Sequence, residues 1–259
     1  MFSIIPEREH TLAERLAVMG SNEALLELSE NHKGSNSLEL TLLSEQNEDV
    51  GLLDAKLTTT MHPAFGISVD AIDIGSSILS ESYGEEGILI EPSIARAGDV
   101  AIWVDMVRKT NLRTDRPVIV LDNAENSELV EQIKKALDYP DFLQTAESSK
   151  MTLGELMAMT NKTVIGLTST AGGLLLLLSS LTPFIHVYST MAEKQLIEQV
   201  GFHQFGFNYQ MLDKSQSPAV ITARLRESLA EGPFVRKELE RFREGLRKQF
   251  LESLSELLP

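Results

Sequence analysis

From residue 86 onward the apolar residues of this chain fall into short runs separated by polar stretches with helical spacing. "GILI" (87–90), "PVIVL" (117–121), "TVIGL" (163–167) and "FIHVY" (184–188) are rich in β-branched or aromatic residues and carry no charge except through His186. Unbroken runs of this length belong to parallel strands that are covered on both faces. Between them, residues 99–110 place Ala101, Val104 and Val107 at helical spacing. Ser127 is placed to cap "SELVEQIKKALD", where an acid leads and Lys134 and Lys135 lie near the end, as a helix dipole favours. "MTLGELMAMTN" sets Leu153, Leu156 and Met157 on one helical face, and "AEKQLIEQVG" ends on Gly201, a natural C-cap. Phe142 and Leu143 add a short strand. Strand and helix alternate from about residue 86 to 212. This predicts an α/β fold with a doubly wound, mostly parallel, Rossmann-like sheet.

The two ends follow other rhythms. Residues 11–19 and 22–30 read as short helices, followed by the strand-like "SLELTLL" and "VGLLDAKL". The expectation is a small N-terminal α+β region over residues 1–80, with the Rossmann-like domain over 81–259. At the C-terminus, Val235, Leu239, Phe242, Leu246, Phe250, Leu254 and Leu257 recur every three or four residues on a highly charged stretch. That spacing predicts an amphipathic helix over 234–258. Such a helix docks on its own domain, or it forms a homodimer or binds another protein.

Residues 163–192 run without one Lys, Arg, Asp or Glu, which is long enough for a membrane span. Their internal punctuation favours a buried βαβ unit instead. "TVIGL" is followed by the loop chemistry of "TSTAGG", then by "GLLLLLSSL", which Thr182-Pro183 stops before "FIHVY". The flanks also lack the Lys/Arg asymmetry of a span. No transmembrane segment is expected.

Composition narrows the chemistry. A formal net charge of -15 argues against nucleic acid or an anionic membrane as the main partner. The absence of cysteine removes disulfides, thiolate nucleophiles and Cys-ligated metals. Together with an N-terminus unlike a secretory signal, it suggests a cytoplasmic protein. The five histidines, His10, His32, His62, His186 and His203, show no metal-ligand spacing, and no metal is expected. His186, inside an apolar run, reads as a core histidine. His62, Asp70 and Asp73 are the candidates for acid–base work outside the sheet. Gly-x-Ser-x-Gly is absent.

Ligands of open α/β sheets bind beyond the carboxyl ends of the strands, often at a helix N-terminus. Thr168, Ser169, Thr170, Gly172 and Gly173 occupy such a place, between the 163–167 strand and a helix expected over 173–181. Hydroxyls, approachable backbone N–H groups and a helix dipole would cradle a phosphate or diphosphate. The same residues would equally make a tight turn that caps a buried helix. The loop is neither a Walker A nor a GxGxxG sequence. Asp122, Asn123 and Glu125 fall on the same edge, either to receive ribose or sugar hydroxyls or as an N-cap cluster. Glu91, Ser93 and Arg96 follow the first strand, and Arg96 is the cation available to a phosphate.

The stretch "MTLGELMAMTNKTVIGLTSTAGGLLLLLSSLTPFIHVYST" resembles the C-terminal half of GT-B glycosyltransferases, in particular the heptosyltransferase-like and capsule Kdo-transferase groups. The resemblance lies in the order of elements over residues 86–212. By resemblance, Ser169, Thr170, Gly172 and Gly173 would bind a donor diphosphate and Glu125 the donor's ribose or sugar. A nucleotide-sugar would then be a substrate, with no separate cofactor. The loop departs from the heptosyltransferase pattern, which carries Asp-Ser-Gly-Pro and a His, and the chain is too short for a complete N-terminal Rossmann half. The expectation is therefore twofold: a glycosyltransferase-like protein, or a non-catalytic GT-B-like subunit acting through protein–protein contacts. An unrelated small-molecule enzyme on the same sheet stands as a third alternative.

Overall fold

The computed structural model describes Leu12, Arg15, Leu16 and Met19 together with residues 86–93, 100–208 and 217–257. Its centre is a six-stranded, all-parallel sheet of order β3-β2-β1-β4-β5-β6. The strands are β1 (Ile88–Ile90), β2 (Val118–Asp122), β3 (Leu143–Glu147), β4 (Ile165–Thr168), β5 (Phe184–Tyr188) and β6 (Gly206–Asn208). The connecting helices are α1 (Val100–Thr114), α2 (Ser127–Ala136), α3 (Leu153–Lys162), α4 (Ala171–Ser179) and α5 (Met191–Gln199). Right-handed crossovers in this order put α1 and α2 on one face of the sheet and α3, α4 and α5 on the other. The C-terminal helix α6 (Ser217–Leu257) packs against α1.

The apolar runs become strands because both faces of the sheet are covered. Ile88–Ile90, Val118–Leu121 and Ile165–Thr168 are buried without alternation, as parallel sheets require. The uncharged stretch is therefore core over most of residues 163–187, with α4 buried along nearly its whole length. No helix among the described residues is long and apolar enough to cross a membrane. Gly166 lets β4 pass close to that helix, since a Cβ there would lie 2.6 Å from Leu177 Cδ1. Thr152 and Thr190 form capping boxes with Glu155 and Glu193 that set the starts of α3 and α5. At the other end of α5, Gly201 takes the left-handed conformation at φ 76°.

Several boundaries differ from the sequence reading. β3 runs from Leu143 to Glu147, beyond the Phe142–Leu143 pair expected, because "LQTAE" is a half-buried strand without an apolar run. β6 gave no sequence signal, being three residues at the sheet edge. Ser127 opens α2 but does not cap it: Asn126 holds the N-cap position without a side-chain capping bond. Helix α4 begins at Ala171, two residues earlier than expected, because Thr170 Oγ1 accepts the N–H of Gly173 at 3.0 Å. Helix α6 begins at Ser217, not 234, and passes through Pro233. Proline removes one N–H, but the buried stripe of Ile221, Leu225, Val235 and Leu239 continues across it.

Of the N-terminal expectations, Leu12, Arg15, Leu16 and Met19 are helical, and Leu12 and Leu16 belong to the core of the sheet domain. Arg15 donates to the carbonyls of Ser148 and Met151 at 3.1 and 3.0 Å. The rest of residues 1–80, including the 22–30 helix, the two strand-like stretches, His62, Asp70 and Asp73, lies outside the described residues.

Helix α6 is tied to the lower end of the sheet through Arg236, whose guanidinium donates to the carbonyls of Asn161 and Thr163 at 3.0 and 3.1 Å. Burial lowers the pKa of this guanidinium. Replacing Arg236 with Met keeps the aliphatic stem and leaves two acceptors without their donor. We expect a loss of about 1–3 kcal/mol in urea unfolding, with an unchanged slope.

Candidate functional site

In a sheet of this order the chain winds away from β1 in one direction and from β4 in the other. The crevice beyond the carboxyl ends of these two neighbours is the topological switch point. The residues that follow β1 and β4 meet there. Glu91 comes directly after β1, and its N–H continues the ladder to Leu167 O at 2.8 Å. Its carbonyl accepts the Ser169 hydroxyl at 3.0 Å. Pro92 and Ser93 are fixed in turn: Asn126 Nδ2 donates to Pro92 O at 3.0 Å and Trp103 Nε1 to Ser93 O at 3.1 Å. The backbone around Glu91 is pinned from three elements.

Its side chain lies at the start of α4. Thr170 Oγ1 donates to Glu91 Oε1 at 2.7 Å while accepting from Gly173 N–H, so one hydroxyl joins the carboxyl to the helix cap. Asn123 Nδ2 reaches the same oxygen at 3.3 Å. Oε2 packs on the Cα of Gly173, where a Cβ would lie 2.6 Å from the carboxyl carbon. A side chain at 173 would have to displace this carboxyl. Oε2 is buried and has no hydrogen-bond partner among the described residues.

Burial pushes the Glu91 carboxyl up to about 7. The Thr170 hydroxyl and the backbone N–H groups of Thr170 and Ser169 favour the charged form, and Glu125 opposes it. Desolvation wins because no salt bridge reaches Glu91 among the described residues. Helix α4 has no acid in its first turn, so Glu91 supplies the negative charge at its N-terminus from β1.

The structure brings together most of the residues singled out from sequence, in altered roles. Thr168 is fully buried, with its hydroxyl 2.9 Å from His186 Nδ1. Ser169 is turned to the Glu91 carbonyl. Gly172 and Gly173 lie in the buried first turn of α4, not in an open loop. Glu125 is exposed on the loop after β2, which Asn123 and Asn126 brace. Asn123 Oδ1 accepts the N–H groups of Glu125 and Asn126, and Asn126 Oδ1 accepts that of Asn123. Arg96 lies outside the described residues.

What sequence reasoning missed is the weight of Glu91. It was one of three residues noted after the first strand, and its signal was an acid directly following the buried run "GILI". His186 is the core histidine expected. Its Nε2 lies 3.9 Å from Glu193 Oε1, with both side chains buried. Burial opposes the charge on Glu193, but the N–H groups of Ser189 and Thr190, the Thr190 hydroxyl and His186 together hold its carboxyl below the ordinary range.

The carboxyl edge is acidic. Besides Glu91 and Glu125 it carries Asp122 at the end of β2, raised mainly by burial, and Glu147 at the end of β3, paired with Lys150 at 2.8 Å. No group of three His, Asp or Glu among the described residues is arranged to hold a metal.

Two outcomes follow. The folded-state pKa of Glu91 lies above its ordinary 4.5, so the neutral carboxyl contributes fully below pH 4.5 and its contribution is lost as pH rises through about 7. Across that window the wild type should lose about 3 kcal/mol relative to Glu91→Gln. Comparing the two proteins in urea at several pH values isolates Glu91 from Asp122, which acts in the same sense, and from Glu193, which acts in the opposite one. Separately, Gly173→Ala should cost about 1–3 kcal/mol, and less than half of that in a Glu91→Ala background. Equal costs in both backgrounds would remove Glu91 as the reason for the glycine.

No protein-family model matches this chain, and no curated protein matches it.

Proposed function

We propose that the chain is a glycosyltransferase-like protein that binds a nucleotide-sugar along the carboxyl edge of the sheet and passes the sugar to an acceptor. One observation supports this reading above the others: the 168–173 loop and the start of α4 lie at the switch point between β1 and β4, where open α/β sheets bind ligands. The donor's diphosphate would face the N-terminus of α4, which would stabilise the leaving charge in transfer. The loop bearing Asn123 and Glu125 would receive ribose or sugar hydroxyls, with Arg96 as a candidate counter-charge.

A second reading has its own support. The hydroxyls of Thr168, Ser169 and Thr170 and the N–H of Gly173 all have partners inside the protein, and Glu91 stands where the diphosphate would lie. A GT-B-like subunit that no longer binds a donor would look like this. It would act through protein–protein contacts, for which exposed Leu112 on α1 and Val220 and Phe234 on α6 offer apolar surface.

A thermal-shift panel of UDP, GDP, CMP, ADP and their common sugar conjugates separates the two. A ligand at one hundred times its Kd adds about 2.7 kcal/mol of stability. The donor reading expects such a shift for one nucleotide series and its loss in Ala171→Glu. Ala171 is exposed in the first turn of α4, where an added acid favours the helix while repelling a diphosphate. If no compound shifts the wild type, the donor reading falls and the partner-binding reading stands.

A further inference from the structure

Helices α3 and α5 start on the same device in different surroundings. Each has a threonine N-cap whose hydroxyl accepts the N–H of a glutamate three residues on, while that glutamate reaches back to the cap. The α3 box, Thr152 with Glu155, is exposed. In α5 Glu193 is only 4% exposed. Its Oε2 accepts the N–H groups of Ser189 and Thr190 at 3.0 Å each and the Thr190 hydroxyl at 2.9 Å. Burying a carboxylate is costly unless a cation or several donors replace its water. Here the other oxygen, Oε1, faces Nε2 of the fully buried His186 at 3.9 Å.

The ring of His186 is held from its other side. His186 pairs with Thr168 in the register of β5 on β4, and the Thr168 hydroxyl lies 2.9 Å from Nδ1. A hydroxyl both donates and accepts, so it serves Nδ1 with or without a proton. Glu193 is not indifferent in this way: its carboxylate attracts an imidazolium, whereas a neutral ring does nothing to offset the burial of that charge. The positive ring is in turn one of the groups that hold the Glu193 carboxyl below the ordinary range.

We propose that His186 and Glu193 form a proton-operated latch on the turn between β5 and α5. With His186 protonated, the ion pair keeps Glu193 inside and the turn at Ser189 and Thr190 closed. As the proton leaves, the carboxylate loses the cation that faces it and moves toward water, and its three bonds to the turn are released. One proton passes to solvent for each opening, and no covalent bond forms or breaks. The turn stands at the carboxyl end of β5, on the edge where open α/β sheets bind ligands, and leads into exposed Met191. The latch therefore opens part of that edge as pH rises.

Other titratable groups lie on the described elements around the pair. On α5 itself Lys194 pairs with Glu198 at 3.5 Å. Tyr188 ends β5, and His203 opens the short turn before β6, whose Gly206 pairs with His186. Helix α4 contributes no titratable side chain. Beyond Thr168, Glu91 approaches Gly173 from β1 as the Thr168 Cβ does from β4. Burial brings Glu91 up to about 7, so its titration has to be separated from that of His186 by a variant.

The latch needs no nucleotide-sugar, so it holds or fails independently of the donor reading. Amide hydrogen exchange from pH 6 to 8.5, corrected for intrinsic rates, reads the latch at Ser189, Thr190 and Glu193, with Thr152 and Glu155 as the reference box. Protection at the α5 box should fall about threefold or more across this range while the α3 box stays flat. By reciprocity the His186 ring, followed by NMR, should titrate about half a pH unit or more lower in Glu193→Gln than in the wild type, the same coupling as a threefold change. Glutamine also serves in a capping box, so in Glu193→Gln the α5 protection should become flat with pH. In Glu91→Gln the pH dependence should remain. Wild-type protection at α5 that is flat with pH overturns the latch, and so does a His186 midpoint unmoved in Glu193→Gln. Loss of the pH dependence in Glu91→Gln overturns it too, by assigning the effect to Glu91. Exchange in the wild type decides alone if a variant does not fold.

Discussion

One buried carboxyl organises the central crevice. Glu91 lies where the two halves of the sheet diverge, and around it β1, the loop after β2, the end of β4 and the start of α4 are joined by hydrogen bonds to its backbone or side chain. Moving a carboxylate out of water is costly unless other groups replace the lost hydration. Here the replacement comes from a hydroxyl, an amide and the end of a helix, and no cation among the described residues completes it. Gly173 follows from this arrangement, and so does the capping role of Thr170. Polar groups left imperfectly satisfied inside a core concentrate at working sites, because selection for stability alone tends to remove them.

The fold was readable from sequence wherever burial was complete. "GILI", "PVIVL", "TVIGL" and "FIHVY" announce central strands because a parallel strand covered on both faces has no polar side to show. The edge strands were harder, for the converse reason. β3 is half buried and polar, and β6 is three residues long, so neither carries a pattern that differs from a loop. The start of α6 was missed in another way: the apolar spacing was read only from Val235 on, while Ile221 and Leu225 carry the same buried stripe back through Pro233. Tertiary packing outweighed one missing hydrogen bond.

The candidate site was half legible. Its place in the chain could be read, since "TSTAGG" between an apolar strand and a leucine-rich helix stands at a strand's carboxyl end. Its wiring could not. That Thr170 faces Glu91, about 80 residues away in sequence, depends on β1 and β4 being neighbours, which strand order alone determines. The glycines looked like room for a ligand, but Gly173 makes room for Glu91. Of the acidic edge, Glu91, Asp122 and Glu125 could be placed from sequence, whereas Glu147 joins them only because β3 runs on to its carboxyl end.

The strand order also bears on how the chain is made. Among the described residues β1 is central yet is the first strand of the sheet in sequence, and its partner on one side, β4, follows only after β2 and β3. A ribosome adding roughly 5–20 residues per second needs about 4–15 s to synthesise the stretch between them. During that interval β1, β2 and β3 can assemble, while the far edge of β1 has none of the described strands beside it. Nascent chains would carry an apolar, unpaired edge until "TVIGL" emerges. Synthesis speed through residues 91–168 would then set how long that edge stays open.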